Sequence, residues 1–154
     1  MRYALSLVRD RSQAEDLVHD CLARALANLS GWRDGDNPRR WLFTILHNLY
    51  VDRIRASMRT PTHVSLEDSH FGAGGDRSSH DTTRREIDSA LGALPLEQRQ
   101  CVLLVGLEGL TYAEAALVLD VPVGTVMSRL CRGREKLREL LDREGVRPSL
   151  RRIK

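Results

Sequence analysis

The sequence predicts an all-α chain: two small helical domains joined by a flexible linker, the second containing a helix-turn-helix. Three observations predict this. Leu, Val and Ala recur at i, i+3, i+4 spacing in both halves of the 154 residues, while aromatic residues make up only 5%, too few for the strands of a sandwich or barrel. That periodicity lapses between Met58 and Asp81, where Arg59, Thr60, Pro61 and Thr62 lead into Ser65, Gly72, Gly74, Gly75, Ser78 and Ser79, the composition of a linker. Two Ser/Thr-x-x-Glu signatures, Ser12 with Glu15 and Thr111 with Glu114, mark helix starts. The expected organisation is a first domain over 1–58, a linker over 59–81, a second domain over 82–142 and a basic tail over 143–154.

Each element has a local reason. A helix starting at Ser12 should bury Leu17, Val18, Cys21, Leu22, Ala25, Leu26 and Leu29 and turn Asp16, His19, Asp20 and Arg24 outward. Gly31 stops it. The polar stretch from Trp32 to Asn37 leads to Pro38, which suits a first helical turn because it has no N–H to leave unpaired. The helix it opens should reach about Ser57, burying Leu42, Ile45, Leu46, Leu49 and Ile54 and showing Arg40, Thr44, Asn48, Asp52 and Arg55. In the second half one helix carries Ile87, Leu91 and Leu94 and ends at Pro95; another, about Leu96 to Leu107, buries Cys101, Val102 and Leu103. Thr111 and Glu114 then start a short helix at Tyr112. Ala116, the turn residue Asp120 and Val126 are the small, left-handed and β-branched positions that let two short helices cross closely. Pro122 starts the second of the pair, with Thr125, Ser128, Arg129 and Arg132 on its outer face.

Charge and composition narrow the function. The net charge is +3, but from Arg129 to Lys154 ten basic residues stand against four acidic ones, so this stretch carries +6 and the rest of the chain −3. A basic helix and tail suit a polyanion; the alternative is a solvated face laced with Glu/Arg pairs. Arg on the first turns of the second of two crossed helices is the arrangement that enters a DNA major groove, where Arg makes two hydrogen bonds to guanine. No apolar run approaches the roughly 20 residues that span a bilayer, and the N-terminus runs into Arg9, Asp10 and Arg11 rather than an apolar signal core. A cytoplasmic protein with no membrane insertion is expected. Cys21, Cys101 and Cys131 are odd in number, far apart and set among Leu, Val and Ala, a pattern of small core or surface residues rather than a disulfide or zinc framework; no metal and no cofactor is implied. His19, His47, His63, His70 and His80 do not converge with a nucleophile or a carboxylate pair, so no catalytic residues are assigned and the chain is not expected to be an enzyme.

The motifs resemble a known family. Leu94-Pro95-Leu96-Glu97-Gln98-Arg99, Gly109-Leu110-Thr111-Tyr112-Ala113-Glu114-Ala115-Ala116 and Pro122-Val123-Gly124-Thr125-Val126-Met127-Ser128-Arg129-Leu130 resemble region 4 of extracytoplasmic-function (ECF) sigma factors. Ser12-Gln13-Ala14-Glu15-Asp16-Leu17-Val18-His19-Asp20 and Pro38-Arg39-Arg40-Trp41-Leu42-Phe43-Thr44-Ile45 resemble region 2 of the same family. The resemblance covers nearly the whole chain in the right order.

It implies a bacterial transcription-initiation subunit that binds core RNA polymerase, directs it to promoter DNA and is held in check by an anti-sigma factor. It implies that Thr125, Ser128, Arg129 and Arg132 read the minus-35 element and that Asn37, Arg40, Trp41, Thr44 and Asn48 hold the minus-10 element as a single strand. Separated bases need stacking surfaces, and their backbone needs cations; core packing is the other reading of Trp41, and Trp32 is a second stacking candidate. Asp16, His19 and Asp20 map to the docking face for core polymerase. Two neighbouring carboxylates with no spaced Lys have no job within the chain and invite a basic partner; simple solvation is the alternative. Two departures stand out. Family members have a longer first helix before the stretch matching Tyr3 to Asp10, and His19 stands where Gln is common, so protonation near pH about 6.5 would change its contact. The alternative to the whole reading is a sigma-like mimic or regulator that binds a protein partner rather than promoter DNA, against which Arg129 and Arg132 argue.

Overall fold

The structure, a computed structural model, describes residues 1–31, 37–59 and 79–143. Trp32, most of the expected linker and the tail beyond Arg143 lie outside the described residues. Every regular element among the described residues is helical, as the apolar periodicity predicted.

Helix α1 (Arg2–Val8) ends at Arg9, whose left-handed backbone (φ 59°) lets its N–H close on Leu5 O and turns the chain into α2 (Arg11–Ala27). Asp10 caps α2, its carboxylate accepting from Gln13 N at 2.8 Å. The expected box at Ser12 does not form, and Glu15 pairs with Arg11 instead, at 2.8 Å. An Asp in extended conformation captures an orphan N–H of the first turn as well as a Ser does, and here it stands two residues earlier. The buried stripe of α2 is Ala14, Leu17, Cys21 and Ala25; Leu22, Leu26 and Leu29, expected inside, are exposed. The helix packs chiefly against α1 and the third helix, so its core stripe is narrower than its apolar arc.

A 3-10 turn, Leu29–Gly31, follows α2. Asn37 then caps α3 (Pro38–Arg59), its side-chain oxygen accepting from Arg39 N at 3.0 Å. Leu46, His47 and Tyr50 of α3 are buried, while Leu42, Ile45, Leu49 and Ile54 are partly covered. Tyr3 of α1 meets Phe43 of α3 edge to face at 5.3 Å.

Helix α4 (Ser79–Gly92) leads through buried Leu94 and exposed Pro95 into α5 (Leu96–Cys101). The helix expected to continue to Leu107 widens there into a π turn, Val102–Leu107, which buries Leu103 and Leu104 and leaves Val102 half-covered. Its end is fixed by Glu108 N donating to Leu103 O and Leu110 N to Leu104 O, across Gly109 at φ 70°. Helix α6 (Tyr112–Leu119) carries the capping box complete: Thr111 accepts from Glu114 N, and Glu114 accepts from Thr111 N at 2.9 Å. Asp120 takes the left-handed conformation (φ 52°, ψ 51°), and α7 (Val123–Arg143) departs after Pro122. Ala116 and Val126 are both buried at the crossing of α6 and α7.

The two halves close on each other. One contiguous apolar core runs from Tyr3, Leu17, Leu46 and Tyr50 into Cys101, Leu103, Val118, Val126 and Leu130. Helix α3 packs on α6, and α1 packs on the π turn and α4. Halves this small stand at the lower end of what folds alone, and the shared seam adds apolar burial to both.

Candidate nucleic-acid interface

Of the four residues expected to read the minus-35 element, Ser128 and Arg132 stand exposed on α7, and Thr125 is half-covered. Ser128 Oγ donates to Thr125 O at 3.0 Å, and Arg132 Nε donates to Ser128 O at 3.3 Å, folding the guanidinium back along its own helix. Arg129 is placed differently from the outward position expected. Its Nη2 lies 2.8 Å from Glu97 Oε2 on α5, and its side chain keeps 23% of its exposure. The periodicity carried this signal: Arg129 follows buried Val126 by three residues and precedes buried Gly133 by four, on the edge of the packed face. Val123 and Met127, to which the sequence reading gave no role, and Cys131 are exposed on this part of α7.

On α3, Arg40, Trp41 and Thr44 are half-buried and Asn48 is exposed. Their positions, i, i+1, i+4 and i+8, fall on one face of the helix. Thr44 Oγ1 donates to Arg40 O at 3.0 Å. Trp41 is absent from the contiguous core that takes in Leu42, Phe43 and Ile45. Asn37, besides capping α3, donates its amide to Glu114 Oε1 of α6. The Thr111 N–H, the Asn37 amide, the Thr111 hydroxyl and the nearby Arg40 hold the Glu114 carboxyl below its ordinary range.

Asp16 and His19 are exposed on α2. Asp20 is also exposed, but it has a partner within the chain: Arg53 Nη2 of α3 donates to its carboxylate, and Arg53 Nη1 reaches Gln13 O at 3.4 Å. The reading that this face has no intramolecular role is corrected for Asp20. Its cation comes from 33 residues further on, which helical spacing along α2 alone does not reveal.

The sequence reading also missed Arg39, which donates to Glu108 O at 2.9 Å and to Glu108 Oε2 at 3.3 Å. Asn37 and Arg39 thus tie the start of α3 to the residues flanking the start of α6. Cys21 and Cys101 are buried, and burial pushes both thiols up, with Arg129 opposing the rise at Cys101.

Residues 84–137 match the family described as Sigma-70, region 4, and residues 2–47 match the Sigma2 domain of PhyR. Over 147 residues, covering 94% of this chain and 80% of the relative, the sequence is 37% identical to the ECF RNA polymerase sigma factor EcfG of Rhodopseudomonas palustris. The chain belongs to the ECF sigma factors. This sigma factor is also 33% identical to SigM of Mycobacterium tuberculosis, over 98% of its own length and 76% of the relative's. Its structure is similar to that of RpoE from Bartonella quintana, solved in complex with the anti-sigma factor NepR, with a TM-score of 0.74 and 31% identity over 92% of this chain and 88% of that one. Sigma factors are transcription-initiation factors, and the family expected from the sequence motifs is the one found. No described helix of this sigma factor is long and apolar enough to cross a membrane.

Proposed function

We propose that this ECF sigma factor docks on core RNA polymerase through the exposed Asp16 and His19 of α2, with Asp20 at the edge of that face. Helix α3 then holds the opened minus-10 element through Asn37, Arg40, Trp41, Thr44 and Asn48. Helices α6 and α7 act as a helix-turn-helix that reads the minus-35 element through Thr125, Ser128, Arg129 and Arg132. The halves work as two domains, 1–58 and 82–142, whose linker over 59–81 lets them reach both promoter elements, and the basic tail over 143–154 adds phosphate affinity. The protein acts in the cytoplasm and contributes no catalytic residue, the nucleotide chemistry belonging to the polymerase. By analogy with the Bartonella complex, an anti-sigma factor restrains it.

The observation that carries this reading is the 37% identity to a sigma factor over 94% of the chain, since it takes in both halves at once. A regulator sharing only the helix-turn-helix would match the second half alone. Run-off transcription with purified core polymerase, on a panel that includes the gene's own upstream region, tests it. Specific initiation that depends on this chain is expected. Core binding without initiation would make the chain a sigma-like regulator, and no core binding would overturn the proposal.

A further inference from the structure

We propose that the junction of α1, α4 and α5 holds a binding site for a phosphate group, gripped between the guanidiniums of Arg9 and Arg99. Arg9 ends α1 and Arg99 lies on α5, so the two cations come from different halves of the chain. Among the described residues, no side-chain hydrogen bond or ion pair reaches either of them. The Nε of Arg99 is wholly covered and unpaired. A covered donor on a charged group is costly to leave without an acceptor, and one that no group of the described chain satisfies asks for an acceptor from outside it.

The backbone points the same way. Arg9 is held in the left-handed region, at φ 59°, which disfavours a residue with a Cβ and which glycine enters freely. Glycine would serve the turn from α1 into α2 better, so the Arg9 side chain has a role beyond the turn. Its guanidinium lies over Gly92 at the end of α4, where a Cβ would come within 2.5 Å of Arg9 Cζ and Nη1. Gly92 thus leaves the space that the head group fills. Burial pushes Arg99 below its ordinary range; the neighbouring Tyr50 opposes this and the Arg9 charge adds to it. The groups acting on Arg99 are therefore a phenol and a second cation, an arrangement that repels until an anion joins it.

The chemistry of the site selects its ligand. A carboxylate carries one charge and is matched by one guanidinium fork. A phosphate monoester carries a charge of about −1.5 to −2 at pH 7 and three acceptor oxygens, so it offsets both cations and accepts from both forks. The Tyr50 hydroxyl, near Arg99, adds a neutral donor. Arg9 is exposed and Arg99 half-buried, so the site opens on the Arg9 side with Arg99 as its floor. None of Arg9, Tyr50, Gly92 and Arg99 belongs to the faces proposed for polymerase or promoter DNA, and the inference goes beyond the sigma reading without depending on it.

Thermal unfolding and isothermal titration calorimetry of the full chain test the site. The probes are inorganic phosphate and adenosine monophosphate, each against sodium chloride of equal ionic strength. Both should raise the melting temperature of the wild type, because they bind the folded chain. A larger rise with adenosine monophosphate makes a nucleotide-like monoester the source of the phosphate, and equal rises make it the phosphate group alone. Gly92→Ala keeps both cations but displaces the Arg9 head group, and should weaken phosphate binding about tenfold, as expected for one lost charge-assisted hydrogen bond. Arg9→Gly relaxes the left-handed backbone, so this variant should melt no lower than wild type in chloride while losing the phosphate response. Helical circular dichroism checks that both variants are folded, and Arg9→Gly, at an exposed turn that suits glycine, keeps the test open if Gly92→Ala disturbs α4. A wild-type response to phosphate no greater than to chloride overturns the site. So does a phosphate response kept in full by either folded variant, since binding would then lie elsewhere, on the basic surface of α7.

Discussion

Arg129 stands where two partners compete for one guanidinium. Its 2.8 Å pair with Glu97 joins α7 to α5, yet the same side chain belongs to the motif that marks a recognition helix. An Arg bound to one carboxylate still has other N–H donors to offer, but that carboxylate offsets the charge it can bring to DNA. Glu97→Gln separates the two roles: if Arg129 reads DNA, minus-35 affinity should rise, and if its role is structural only, the melting temperature should fall with affinity unchanged. Arg132, exposed and bonded to Ser128 of its own helix, is the cleaner test of the proposed minus-35 face. Arg132→Ala should weaken minus-35 binding by about 1–3 kcal/mol and lower the salt slope by about one, measured by fluorescence anisotropy across a salt series. His47 gives a pH signature. Burial inside α3 pushes its pKa below the ordinary value, so the unfolded chain takes up a proton near pH about 6.5 while the folded chain waits for a lower pH. The contribution of His47 is therefore complete above pH about 6.5 and lost as pH falls through the depressed folded value. His47→Gln should flatten that part of the stability profile in urea titrations between pH 5 and 7, and an unchanged slope would count against the burial argument.

At the scale of elements, close packing of α7 on α5 turns on one glycine. A Cβ at Gly133 would sit 2.9 Å from Val102 Cγ2, 3.2 Å from Gln98 Cβ and 3.3 Å from the Gln98 carbonyl. In an exposed helix Gly→Ala gains about 1 kcal/mol of propensity. Here the overpacking, about 1–3 kcal/mol, exceeds it, because neither a branched Val methyl nor backbone yields easily. Gly133→Ala should lower the melting temperature, and a rise would show that α5 and α7 can separate. Elements like α6 were fully legible in the sequence, since a capping box and a left-handed Asp are local chemistry written within a few residues. The start of α2 was less so, because Asp10 and Ser12 are rival caps and only the chain's entry from α1 selects the first. The π turn at Val102–Leu107 was not legible at all: its pattern of buried residues differs from an α-helix by a single register step. The exposure of Leu22, Leu26 and Leu29 depends on how many helices cover α2, which no window along α2 records.

At the scale of the whole molecule, the seam decides which charges are free to meet a partner. Spacing showed which helix faces are polar, but Arg53 reaching Asp20, Arg39 reaching Glu108 and Glu97 reaching Arg129 are contacts between distant segments that only the fold brings together. They divide the proposed docking face. Asp20 is tied to α3 by Arg53, so its reversal to Lys would set two cations against each other and destabilise α2 on α3, confusing a lost contact with a damaged fold. Asp16 is exposed on the same helix, four residues before Asp20, and its reversal leaves that pair intact. Asp16→Lys in the full chain should keep the wild-type melting temperature, because it touches neither the core nor the proposed DNA-reading faces, and should sharply reduce holoenzyme formation with core polymerase in gel filtration. Normal holoenzyme assembly by a folded Asp16→Lys chain would move polymerase docking off this face of α2. The exposed Leu22 and Leu26, six and ten residues beyond Asp16 on the same helix, would then be the next residues to test.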